Sequence, residues 1–231
     1  KKRQRETFSE SMYRQRKDIY SKVYQEHEGD PKILREAKGL VAFLKEKDIF
    51  LEEDDLLAGY QQMYDFSLPE GEPSLYELCR LESEENHALM DQYEKASKIG
   101  LFGGGLGGHV IPDFEGVLRK GFARLKGDAE RKLAEGGEID RDFLSAVIIT
   151  CQGVEHYIKR YAQRASLLAE RTKSIKYRGE LERISQACEW VATNPPRTFF
   201  EALQLFWLTH EILTASQASG SLSPGRFDQY M

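Results

Sequence analysis

RTFFEALQLFWLTHEILTASQASGSLSPGRFDQYM, Arg197 to Met231, holds the most apolar run of the chain and the tightest corner. Phe199, Phe200, Leu203, Leu205, Phe206, Trp207, Leu208, Ile212 and Leu213 fall on every side of a helix of period 3.6, so burial of one face cannot account for them. Thr198 and Glu201 form a capping box that starts this helix. Glu201, Gln204, His210 and Glu211 interrupt the run, which leaves it too short to cross a bilayer comfortably. An unpaired buried polar group costs about 1–3 kcal/mol, so His210 and Glu211 must each find a partner. That demand marks them as buried structural residues. Beyond the helix, Ser221, Ser223, Arg226, Asp228, Gln229 and Tyr230 gather around a Pro224-Gly225 turn. A rod this greasy needs cover on all sides.

Working outward, the upstream segments are amphipathic helices able to cover only part of it. Phe8, Met12, Ile19 and Val23 recur at helical spacing, and Gly29 closes that segment. Asp30-Pro31 reads as an N-cap followed by a first-turn proline, opening a helix with Ile33, Leu34, Ala37, Leu40, Val41 and Leu44 on one face and an end near Lys47. The stretch 49–64 changes character and suits one short strand. Ser74 and Glu77 make another capping box for a helix running to about Lys98. Pro112 opens a helix that Gly136-Gly137 breaks, with Phe114, Val117, Leu118, Gly121 and Leu125 on one face. From Asp140 a long helix runs to about Lys173; its β-branched run 147–150 lies inside a helical period. A further helix carries Leu181, Ile184, Cys188 and Val191 until Asn194-Pro195-Pro196 stops it. The chain therefore reads as mainly α, and as the cut edge of a larger body.

At 231 residues, 40% hydrophobic and 31% charged, the composition is that of a soluble globular protein. A net charge of -5 gives no footprint for nucleic acid, which needs clustered Lys and Arg. Three cysteines, Cys79, Cys151 and Cys188, lie far apart and outside any metal-binding spacing, which suits a reducing cytoplasm. The basic opening KKRQR has no apolar segment behind it, so no secretory signal is read, and no membrane partner.

Gly103 to Gly108 formally matches the dinucleotide fingerprint G-x-G-x-x-G, but a helix end precedes it where a buried strand is needed. The alternative is that these glycines let the backbone enter a crowded interior and deliver His109 ahead of a helix N-terminus, where a neutral imidazole could meet a small polar substrate. A histidine that only closes the loop is the competing reading. His27, His87, His156 and His210 lack partners at a metal spacing. Arg226 offers a planar fork to a carboxylate, with Asp228 the nearest candidate for a structural ion pair.

Three segments carry a family resemblance. SLSPGRFDQYM preceded by RTFFEALQLFWLTHEIL, GGHVIPDFEGVLRKG, and FLKEKDIFLEEDDLLAGY resemble, in order, motifs in the N-terminal half of glycyl radical enzymes of the pyruvate formate-lyase type. The resemblance implies that residues 1–231 are the helical N-terminal part of a ten-stranded α/β barrel, roughly the first third of a longer protein. The family's G-C-x-E cysteine motif and R-V-x-G glycine motif are not in this sequence, so this piece alone is expected to be inactive and to bind no cofactor itself. The radical is expected on a glycine elsewhere in the full-length protein, installed by an activating enzyme that uses S-adenosylmethionine and an iron-sulfur cluster. A homodimer and a small-molecule substrate are likewise implied.

By the same resemblance, His109 and Ser221 are carried over as substrate-facing residues, and Arg226 and Asp228 as structural residues of the barrel. Dehydratase-like members often read G-H-S where this chain has Ser219-Gly220-Ser221, so a polar histidine is missing. That favours a lyase or decarboxylase acting on a larger or less polar substrate, with formate acetyltransferase and dehydratase chemistry as alternatives. A non-catalytic helical scaffold is the competing class.

Overall fold

A computed structural model describes residue 15 and residues 18–52, 54–59, 110–137, 139–217 and 222–231. Residues 18–26 are helical. The helices that follow are α1 (Lys32–Glu46), α2 (Phe114–Glu135), α3 (Arg141–Arg171), α4 (Ile175–Val191), α5 (Phe199–Gln217) and a final turn, α6 (Phe227–Tyr230). The described part is helical, as its periodicity indicates.

The boundaries follow from local chemistry. Asp113 accepts from the Gly116 amide at 2.8 Å, and Asp140 accepts from Phe143 at 2.9 Å. Both satisfy amide donors that a helix start leaves unpaired. The α1 start differs from the sequence reading. Pro31, with φ -51 and ψ 143, occupies the N-cap position and makes no side-chain cap. Asp30 instead pairs with Lys38 Nζ at 2.5 Å and with His27 Nδ1 at 3.2 Å, bracing the turn before α1 against its second turn. The Lys38 hydrogen bond holds the Asp30 carboxyl below its ordinary range.

The 31-residue α3 is the spine. Helices α1, α2 and α4 pack along it, and α5 lies against α2 and α4. Tyr157, Ile158, Tyr161 and Ala165 of α3 are fully buried, together with Leu44, Leu181, Cys188, Leu205 and Leu208. A satellite cluster of Ile19, Tyr20, Tyr24 and Phe43 joins the first helical stretch to α1.

The short strand expected over 49–64 is absent from the residues described there. Among the described residues no strand lies beside it to complete a ladder, and side chains of α5 meet its backbone instead. Gln204 accepts from the Ala58 amide and donates to the Ala58 carbonyl, both at 2.8 Å, supplying with one amide the two bonds a paired strand would give. Trp207 Nε1 donates to the Gly59 carbonyl at 2.9 Å. Gly59 has φ +110, and a Cβ there would come within 2.9 Å of Trp207 and of Glu211, so only glycine allows this contact.

Around α5 the cover is uneven. Leu205, Leu208, Gln204 and Thr214 are buried, whereas Phe200, Leu203, Phe206, Trp207 and Leu213 are half-buried and Phe199 is 61% exposed. No helix among the described residues is long and apolar enough to cross a membrane.

Candidate functional site

The two segments that lead away from His109 and Ser221 meet. Val110 and Leu222 form a parallel β-bridge, in which the Ser223 amide donates to the Val110 carbonyl at 3.0 Å. This is the isolated bridge among the described residues, and each partner stands one residue after a residue singled out from the sequence. His109, Ser221 and the glycine-rich loop themselves lie outside the described residues, as do Cys79, His87 and the Ser74 capping box.

The bridge is held by side chains of α5 and α2. Phe114, at the start of α2 and 1% exposed, packs on Phe206 of α5 with ring centroids 4.6 Å apart. Phe206 in turn meets Phe227 edge-on at 5.0 Å. His210 Nε2 lies 3.2 Å from the Leu222 carbonyl, to which it donates. The Tyr230 hydroxyl donates to the Pro224 carbonyl and closes the corner expected at Pro224-Gly225. Aromatic contacts of this kind contribute about 0.5–1.5 kcal/mol beyond the area they bury.

Arg226 precedes α6 and Asp228 lies in its first turn. Both are exposed, and the ion pair considered between them is not formed among the described residues.

A second polar centre lies behind α5, and the sequence reading foresaw only half of it. Glu211, 2% exposed, pairs with Lys47 at the end of α1. Lys47 Nζ also donates to the Tyr157 hydroxyl at 2.6 Å; Tyr157 donates onward to Glu211 Oε1 at 2.7 Å, and Tyr161 donates to the same oxygen at 3.3 Å. Burial, and next the nearby carboxylate, push both phenols well above their ordinary pKa, so they act here as neutral donors. The sequence required a partner for Glu211. Nothing local identified it, because Lys47 lies 164 positions away.

The capping box at Thr198 forms in part. Thr198 Oγ1 accepts from the Glu201 amide at 3.2 Å, but the Glu201 carboxylate turns to Arg197, taking its backbone amide and its guanidinium each at 2.6 Å. Those bonds keep the Glu201 carboxyl below its ordinary range. Arg197 lies 3.8 Å over the Trp190 ring, which ties the start of α5 to α4.

Cys151 and Cys188 are free and buried among helices. Burial raises the Cys151 thiol to about 11 and pushes Cys188 higher still, so both are packing residues in character.

The three segments that carry the resemblance thus converge on one helix. Lys47, Ala58 and Gly59 come from the first, Val110 and Phe114 from the second, and α5 with its corner from the third.

The same relationship appears in whole-sequence and whole-fold comparison. The chain is 36% identical over 128 residues to isethionate sulfite-lyase of Nitratidesulfovibrio vulgaris, an alignment covering 52% of this chain and 16% of that one. It is 25% identical over 264 residues to (2S)-3-sulfopropanediol dehydratase of Klebsiella oxytoca, covering 92% of this chain and 32% of the relative. The glycerol-bound B12-independent glycerol dehydratase of Clostridium butyricum superposes with a TM-score of 0.72 at 26% identity, over 98% of this chain and 36% of that one. This chain therefore spans about a third or less of the length of each. With the pyruvate formate lyase-like family model matching residues 78–231, the chain belongs to that family of glycyl radical enzymes and forms part of its barrel fold.

Proposed function

We propose that residues 1–231 are the N-terminal part of one pyruvate formate-lyase-like domain, in an enzyme that cleaves a C–C or C–heteroatom bond of a small substrate as a lyase or decarboxylase. The observation that carries this reading is the Val110–Leu222 bridge, which brings the segments following His109 and Ser221 side by side under a lid of aromatic side chains. In this family a glycyl radical, installed by an S-adenosylmethionine iron-sulfur activating enzyme, supplies the hydrogen-atom abstraction that starts bond breaking. The share of this chain is binding, orientation and exclusion of water. His109 and Ser221 are assigned to the polar groups of the substrate. Arg226 and Asp228, exposed here, are assigned to contacts with the rest of the barrel.

Gly220 stands where a polar histidine would favour polyol dehydration, and this supports a lyase acting on a less polar or larger group. The similarity to a sulfite-lyase supports the same direction, with cleavage of a C–S bond as one form of it. Dehydration is the second reading, favoured by the dehydratase similarity that extends over 92% of the chain.

The test is anaerobic activation of the full-length protein, followed by electron paramagnetic resonance and substrate trials. A glycyl doublet is expected, with release of carbon dioxide from an arylacetate or of sulfite from 2-hydroxyethanesulfonate. An aldehyde formed from glycerol or propane-1,2-diol, with neither of those products, would replace the lyase reading by the dehydratase. Absence of the doublet after activation would remove the radical reading altogether.

A further inference from the structure

We infer that His210 is a positioning residue for the substrate site: it fixes the backbone at Leu222, next to Ser221 in sequence, by occupying the outer edge of the Val110–Leu222 bridge. The inference rests on the proposed assignment of Ser221 to substrate.

The Leu222 carbonyl and the Ser223 amide belong to one trans peptide group, whose C=O and N–H point to opposite sides. Here the Ser223 amide points to Val110. The Leu222 carbonyl faces the other way and would be left unpaired in a buried setting, since Leu222 is 7% exposed. An orphaned buried carbonyl is destabilising, because it loses its bonds to water and gains none. His210 Nε2 fills that position at 3.2 Å. A carbonyl only accepts, so Nε2 carries the proton.

The imidazole has little freedom to leave. Its ring lies 6.1 Å from Trp207 with 2° between the planes, 6.3 Å from Phe114 and 6.2 Å from Phe206. It is itself 9% exposed, and its Nδ1 makes no hydrogen bond among the described residues. The ring therefore serves one bond, and that bond is to the backbone of the site. Glu211, the next residue, lies about 100° further round α5 and is held there by Lys47 and Tyr157. The rotation of α5 is thereby set from behind, and His210 transmits that setting to Leu222.

Sequence reading assigns His210 a structural role with no partner attached. The partner changes what that role is: the residue connects the helical shell to the bridge at which the two site-bearing segments pair.

Hydrogen exchange on the full-length protein tests this without needing a substrate. His210→Phe keeps an aromatic ring but lacks the N–H. It is expected to speed exchange of the Ser223 amide about five- to tenfold while peptides from α3 and α4 stay at the wild-type rate. His210→Gln, whose amide N–H has a similar reach, is expected to restore most of the protection. Should His210→Phe prove too unstable to purify, a folded His210→Gln variant with wild-type protection at Ser223 carries the same conclusion. Unchanged exchange at Ser223 in His210→Phe, acceleration spread evenly over α3 to α5, or equal loss in the Phe and Gln variants would overturn the inference. The glycyl signal of the wild type decides the functional reading separately, since amide exchange does not depend on the radical.

Discussion

Glu211 shows how a single side chain in an apolar helix reorganises what surrounds it. Its Oε1 gathers donors from Lys47, Tyr157 and Tyr161, so two helices and the end of a third are bound to one oxygen. Coulomb attraction in such a place offsets a large desolvation cost, and the net gain over an apolar replacement is small. Removing one partner is another matter. Lys47→Met leaves a buried, uncompensated carboxylate and is expected to destabilise the protein by about 3–5 kcal/mol. The double variant Lys47→Met/Glu211→Leu should recover most of the loss. The urea midpoints of the three proteins check this; equal instability of the single and double variants would show that the pair does not act as a pair. At this scale the sequence was half legible. It said that Glu211 needed a partner, because the cost of leaving it bare is local and general. It could not say which, because the answer depends on how α1 and α5 are laid against α3.

Among the helices, the clearest departure from a periodic pattern is at Gly121. Sequence spacing places it on the buried face of α2, and buried it is, but as a kink. Its φ of 69 and ψ of 161 interrupt the helix, and the Ala123 amide two residues later donates to the Thr193 carbonyl at 3.2 Å. A Cβ at this position would lie 2.7 Å from the Asn194 carbonyl carbon and 2.8 Å from the Pro195 nitrogen, both backbone atoms that cannot rotate away. This region of φ and ψ is essentially restricted to glycine. Gly121→Ala is therefore expected to cost about 3 kcal/mol or more, combining backbone strain with the clash. Thermal denaturation would check it, and a shift no larger than that of Gly127→Ala, where a Cβ would meet nothing within 4 Å, would refute it. The helix start at Asp140 was legible because capping chemistry acts within three residues. The missing strand at 49–59 was not, because apolar clusters around an acidic run look the same whether a neighbouring strand or a Gln204 amide receives the backbone.

Taken whole, the chain is a spine of α3 clothed by shorter helices, with α5 covered on one side more fully than on the other. Half-buried Phe200, Leu203, Phe206 and Trp207, with exposed Phe199, form an apolar surface of the kind that associates in water. Residues 1–231 produced alone are expected to bind an anilinonaphthalene sulfonate dye and to self-associate, while the full-length protein does neither. Weak dye binding by a monomeric 1–231 species would instead support an independent helical scaffold. The mainly helical class was legible from periodicity along the chain and the family from three separated segments, each of which supplies residues beside α5 or its corner. The proposed pairing of His109 with Ser221 came from the resemblance, since the two carry no joint spacing signal, being more than a hundred residues apart.

That distance has a consequence for how the molecule assembles. Closing a flexible loop of about a hundred residues costs about 4 kcal/mol in chain entropy, more than the single ladder bond at Ser223 can return. Each of α2, α3, α4 and α5 can begin to coil from neighbouring residues alone, and once docked they shorten the path between Val110 and Leu222. Pairing of these two is therefore a late event, which waits for the hairpins of helices between them. A variant that slows the docking of α3 should delay the appearance of a competent pocket without changing its final shape.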